Sequence, residues 1–204
     1  MKKLFLTLMV STGCFLWSSG TEAKIKVACV GNSVTYGAGI EDRANYSYPA
    51  QLQQMLGEAY EVRNFGRSSA TLLDKGPLPY KAQPEYQAAL DFKPDKVIIH
   101  LGLNDTDPRA WFYYKDEFVP DYCAMVDTFR KINPEAEIWI CRMTPISNRH
   151  KRFKAGTRDW YREIQQAIEC TAQATGGELI DFQCLLYDRP DLLPDGLHPN
   201  KEGA

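Results

Sequence analysis

Several things are missing from this chain of 204 residues, and each absence narrows the field. There is no Cys-x-x-Cys pair and no cysteine/histidine spacing that suits zinc, which argues against a zinc module. There is neither a Walker lysine nor a GxGxxG run, so no loop is built to cradle a nucleotide's phosphates. The formal net charge is −2, and "NRHKRFK" (148–154) is the one dense basic run. A polyanion partner calls for a basic stripe, so the balance speaks against nucleic acid, and this run reads as a solvated loop before a helix. Internal repeats and low-complexity linkers are lacking too, and the length suits one α/β domain with a real core.

The first 23 residues read as a secretory signal. Lys2 and Lys3 lead into "LFLTLMV", "CFLW" extends the apolar stretch, and "TEA" ends in a small residue, so cleavage is expected after Ala23. The apolar run is too short and interrupted for a membrane span, and no stable membrane insertion is expected once the signal is gone. The protein is therefore expected to be secreted or periplasmic. A rival reading is lipidation at Cys14, since "STGC" resembles a lipoprotein box; Ser11, where such boxes usually carry leucine, weighs against it. Removal of the segment takes Lys2, Lys3 and Glu22 from 24 basic and 26 acidic residues, moving the net charge from −2 to −3. It leaves Cys29, Cys123, Cys141, Cys170 and Cys184, an odd set with at least one free thiol or an intermolecular bond. Cys29 and Cys141 lie in strand-like runs and read as small buried apolar residues. A Cys170–Cys184 bridge stays open.

From Lys24 onward, apolar runs alternate with amphipathic ones. Strands are expected at 24–31 ("KIKVACVG"), 60–66 ("YEVRNFG"), 96–105 ("KVIIHLGLND"), 137–145 ("EIWICRMTP") and 178–182 ("ELIDF"). Helices are expected at 48–59 with Pro49 at the start, at 84–92, at 117–132 beginning near Pro120, and at 157–175, closed by Gly176 and Gly177. This alternation predicts a parallel sheet covered on both faces, with function just past the carboxyl ends of its strands.

Four strand ends carry unusual chemistry. "GNSVTYG" (31–37) breaks the first strand at Ser33; "NFGRSSAT" (64–71) follows the second with Asn64 and Gly66; "GLND" (102–105) follows the third with Gly102, Asn104 and Asp105; "PDGLHPN" (194–200) lies beyond the fifth with Asp195 and His198. A serine hydroxyl needs a base to take its proton, and that base needs a group to fix its tautomer. His198 is the natural base, and Asp195, three residues earlier, can reach its Nδ1 in a turn. Backbone N–H groups of Ser33 and Gly66 and the Asn104 amide could hold an oxyanion. Asp105 reads as support for its block, His100 as a core histidine within its strand, and His150 as solvated.

In that order, the four blocks resemble those of the SGNH hydrolases, a branch of the GDSL esterase/lipase superfamily: "GNS" at Ser33, the glycine of "NFG" at Gly66, "GxND" from Gly102 to Asp105, and "DxxHP" from Asp195 to Pro199. The resemblance runs from about Lys24 to the end and is taken as one hydrolase domain over residues 24–204. It implies a flavodoxin-like three-layer α/β/α sandwich with a five-stranded parallel sheet. It also implies ester hydrolysis by Ser33, His198 and Asp195, with Ser33, Gly66 and Asn104 as oxyanion hole and neither metal nor cofactor. Two features depart from the pattern. Asn32 stands where the motif has aspartate. Members continue into a last helix on the sheet, of which "PNKEGA" (199–204) reads as the start. The block is also not a GxSxG elbow, because position 35 is threonine.

The text between the blocks resembles that of secreted members that deacetylate carbohydrates, the sialate O-acetylesterase type among them. An acetylated glycan or other small ester is the expected partner. Trp111, Tyr113 and Tyr114 lie within ten residues of Asn104 and could stack on pyranose rings or simply pack the next helix. Arg67 could meet an acidic sugar's carboxylate. The alternatives are a lysophospholipase or thioesterase with the same residues, and a carbohydrate-binding protein without turnover.

Overall fold

The computed structural model describes residues 23–148, 150–151 and 157–204. The signal segment, Cys14 and most of the basic run at 148–154 lie outside the described residues. Five strands form the sheet: β1 (Ile25–Gly31), β2 (Tyr60–Gly66), β3 (Lys96–His100), β4 (Glu137–Arg142) and β5 (Glu178–Asp181). The helices are α1 (Ser33–Tyr36), α2 (Arg43–Tyr46), α3 (Tyr48–Leu56), α4 (Pro84–Asp91), α5 (Trp111–Tyr114), α6 (Phe118–Ile132), α7 (Thr157–Thr175) and α8 (Phe182–Leu186). All strand pairs are parallel, in the order β2-β1-β3-β4-β5. That is the flavodoxin-like order, and the topology reverses next to β1.

The alternation of strand side chains feeds two faces. Ala28, Val30, Val97, Ile99, Ile138 and Ile140 point to one face and join the main core. There they meet Phe118, Tyr122, Met125 and Phe129 of α6 and Ile164 and Ile168 of α7, spaced three and four apart so that each helix turns one apolar stripe inward. Burying each such side chain contributes about 1.5–3 kcal/mol. On the opposite face lie Cys29, Cys141 and His100, with Tyr48 of α3 and Phe182 of α8 packed edge-on against each other. Here an apolar groove of about 300 Å³ remains, lined by Val34, Leu52, Ile98, Ile180 and Phe182, with Gly203 and Ala204 at its side.

Several boundaries differ from the sequence reading. The third strand stops at His100, because Gly102 (φ 111°) bends the chain into a 3₁₀ turn, Leu103–Thr106. The helix from Tyr48 ends at Leu56, where Gly57 takes φ 72°. Helix α6 starts at Phe118, and Pro120 sits in its first turn, where a missing N–H loses no helical bond. Five cysteines are described and all are free; Cys170 and Cys184 are exposed and unbridged. Burial pushes the Cys29 thiol up to about 12 against an opposing hydrogen bond from Tyr48, so it behaves as the small apolar residue expected.

Candidate active site

The break after β1 is a four-residue helix that begins at Ser33. Asn32 caps it: its Oδ1 accepts from Val34 N–H at 3.0 Å, and its own N–H donates to the His100 carbonyl at 3.3 Å. Gly37 ends the helix with φ 87°. Ser33 thus holds the first helical position, where a backbone N–H has no partner within the helix. The turn needs Gly31, since a Cβ there would strike Thr35 Oγ1 and the His100 carbonyl.

The far end of the chain returns to this helix. Asp195 Oδ1 accepts from the N–H groups of Leu197 (2.8 Å) and His198 (2.7 Å), which shapes the turn. Its Oδ2 lies 2.7 Å from His198 Nδ1, and His198 Nε2 lies 2.9 Å from Ser33 Oγ. The last contact joins residues 165 positions apart. With an acceptor at Nδ1, the imidazole carries its proton there, and Nε2 is left to accept from the serine hydroxyl. Partial burial would raise the Asp195 carboxyl, but His198 and the two backbone donors outweigh it and hold the group below its ordinary range. The Asp195 turn is anchored in turn: Gly196 donates to Leu193, and Ser147 of the loop after β4 donates to the Gly196 carbonyl at 2.7 Å.

The second and third blocks meet the first through a dense set of bonds. Gly66 lacks a side chain because the backbone of Thr35 and Tyr36 occupies the space a Cβ would need. Its N–H donates to Asn64 Oδ1 at 2.8 Å, while Asn64 Nδ2 donates to the Thr35 carbonyl at 2.7 Å. Asn64 therefore staples β2 to the helix bearing Ser33, a role that sequence reading, which singled it out beside Gly66, did not assign. Asn104 is 8% exposed and donates to the Ala70 carbonyl at 2.9 Å. Asp105 is fully buried and accepts from Leu72 and Leu73 N–H, both at 2.9 Å, so it carries the loop that contains Ala70. Burial pushes its carboxyl up to about 6 against those backbone donors.

His100 is a core histidine, as read. Burial lowers it to about 4, and its neutral Nε2 accepts from Thr144 N–H at 3.2 Å. Of the two residues offered for substrate contact, Trp111 sits differently from that reading. Trp111 is 3% exposed, donates through Nε1 to Glu163 at 2.8 Å and packs edge-on against Phe118; it is core and offers no open ring face. Arg67 continues the sheet through its N–H to the Gly31 carbonyl, and its guanidinium faces Glu85 at 3.5 Å. Among the described residues, no cluster of His, Cys, Asp and Glu could hold a metal ion. No helix among them is long and apolar enough to cross a membrane.

Ser33, His198 and Asp195 thus form a hydrogen-bonded relay in the order that acyl transfer uses. The sequence profile of the GDSL-like Lipase/Acylhydrolase family matches residues 29–204. The chain is 38% identical over 201 residues to an acetylxylan esterase of Xylanibacter ruminicola, covering 90% of this chain. It spans 41% of that relative's length. Among solved structures, the acetyl xylan esterase AlAXEase superposes with a TM-score of 0.66 at 22% identity, over 88% of this chain and 93% of that one. AlinE4, an SGNH-hydrolase family esterase, does so with 0.62 at 20% identity, over 90% of each. At such identities the two structures speak for the fold.

Proposed function

This chain belongs to the GDSL-like lipase/acylhydrolase family, and from that premise we propose that it is a serine esterase removing acetyl groups from carbohydrate outside the cytoplasm. The observation that carries the reading is the relay from Ser33 Oγ through His198 to Asp195, at 2.9 and 2.7 Å. The relative named acetylxylan esterase supports acetyl as the acyl group and a glycan as its carrier. The N-terminal segment read as a secretory signal supports export.

In this reading Ser33 Oγ attacks the acetyl carbonyl carbon while its proton passes to His198 Nε2. Asp195 holds the imidazole and balances the imidazolium. The tetrahedral oxyanion takes hydrogen bonds from Ser33 N–H, the Asn104 amide and Gly66 N–H; the last is shared with Asn64 Oδ1. Each such donor is worth about 10²–10³ in kcat. His198 returns the proton to the sugar oxygen, which leaves as the hydroxyl, and acetyl stays on Ser33. Water then attacks the acyl-enzyme, giving its proton to His198, and acetate departs as Ser33 recovers its hydrogen.

The test is acetate release from acetylated xylan, acetylated pectin and O-acetyl sialic acid, beside p-nitrophenyl esters of two and eight carbons. The reading expects release from at least one glycan, preference for acetyl over octanoyl, and loss of turnover in Ser33→Ala. Octanoyl preference would favour a lipid ester, and a Ser33→Ala protein at the native rate would overturn the mechanism.

A further inference from the structure

The stretch that follows Asn104 leaves an aromatic surface that the relay does not use. Phe112 and Tyr113 are 65% and 68% exposed, although both are large and apolar over most of their area. Their rings stand nearly perpendicular with centroids 5.0 Å apart, and Phe112 lies 6.4 Å from the ring of Trp160. The three rings come from two elements: α5, beyond the carboxyl end of β3, and the first turn of α7, beyond the carboxyl end of β4. Both belong to the edge of the sheet that carries Ser33, Gly66 and Asn104.

The burial of Trp111 explains why its neighbours face out. Its indole is seated on Phe118 and bonded to Glu163 of α7, which fixes the rotation of α5. One helical residue turns the chain by about 100°, so Phe112 and Tyr113 are carried to the solvent side. They have few ways to relax, because two stiff torsions per ring hold a fixed shape at little entropic cost. Between Asn104 and these rings the exposed Arg109 forms a planar pair with Asp107, through Nε and Nη2 at 3.0 and 2.8 Å. Flat apolar rings beside a flat polar pair match a pyranose, whose C–H faces are apolar and whose rim is hydroxyl.

The geometry points to Phe112, Tyr113 and Trp160 as a platform that binds the sugar chain on which the acetyl ester sits. This rests on the glycan reading above and specifies it. Phe112 follows Asn104 by eight residues, beyond the carboxyl end of the same strand. The ligand proposed is a sugar chain, with its acetylated ring in the relay and neighbouring rings on the platform.

The experiment compares the native protein with Phe112→Ala/Tyr113→Ala. For each, kcat/KM is measured on acetylated xylan and on p-nitrophenyl acetate, with melting temperature as a check on folding. The ratio of the two kcat/KM values is expected to fall about tenfold in the double variant, through KM on the polymer. In parallel, Ser33→Ala is run through gels containing deacetylated xylan; it should be retarded, and the triple variant should not. Native-like release from xylan with an unchanged ratio would overturn the platform and leave the esterase reading intact. Failure of the native protein to release acetate from any glycan, with p-nitrophenyl acetate still cleaved, would remove the glycan reading and the platform with it.

Discussion

Replacing Asp195 by asparagine changes one atom of the carboxylate, and the structure determines which one. Oδ1 accepts from the backbone N–H groups of Leu197 and His198, at 2.8 and 2.7 Å. An amide NH₂ placed there would meet two donors. The asparagine carbonyl must therefore stay on the backbone side, and the NH₂ must face His198 Nδ1. That nitrogen then becomes an acceptor, the imidazole proton moves to Nε2, and Ser33 Oγ faces a donor in place of a base. The same tautomer reversal in the worked serine-protease triad lowers kcat by about 10⁴, equivalent to about 5.5 kcal/mol of transition-state stabilisation. The turn keeps both backbone bonds, weakened from charged to neutral, so stability should fall by only about 1 kcal/mol. Steady-state hydrolysis of p-nitrophenyl acetate at pH 7 measures the rate. The ¹⁵N shifts of the His198 ring read the tautomer, and thermal melting reads stability. An Asp195→Asn protein within tenfold of the native kcat would refute the reasoning, as would one with the proton still on Nδ1.

Two further perturbations follow. Asp105→Asn sets an NH₂ against one of the Leu72 and Leu73 N–H groups and should destabilise by about 1–3 kcal/mol. Since the folded carboxyl is raised from 3.8 to about 6, the native state holds a proton that the unfolded state releases in that window. Native stability from this group therefore falls as pH rises through it. The melting gap between native and variant should be widest near pH 4 and narrow toward pH 7; a constant gap would contradict the assignment. Gly66→Ala drives a methyl into the backbone of Thr35 and Tyr36. It should cost about 1–3 kcal/mol or more and lower kcat by displacing Ser33, both readable by melting and steady-state kinetics; a native-like protein would show that the close approach has slack.

Much of the fold is legible along the chain because strands and long helices write themselves as local periodicity. "KVIIH" and "EIWICR" are apolar and β-branched, and the stripes of α6 and α7 recur at three and four. The short helices α1, α2, α5 and α8 span four or five residues, less than two turns, so no period could announce them. Trp111 shows the same limit: in a four-residue helix, hydrophobicity alone leaves inside and outside undecided. Its place was settled by Phe118 and by Glu163, 52 residues on.

The candidate site divides the same way. Residue types at four strand ends, and the spacing of Asp195 to His198, are properties of the linear chain. So is the alternation that makes a parallel sheet. The rest was decided in three dimensions. Strand order brings Ser33, Gly66 and Asn104 onto neighbouring crossings and lets His198 return across 165 residues. The Asn64 staple, the packing reason for Gly66 and the outward turn of Phe112 and Tyr113 likewise depend on contacts between distant segments. Local sequence encodes local conformation, whereas which backbones touch is chosen by the burial of whole faces at once.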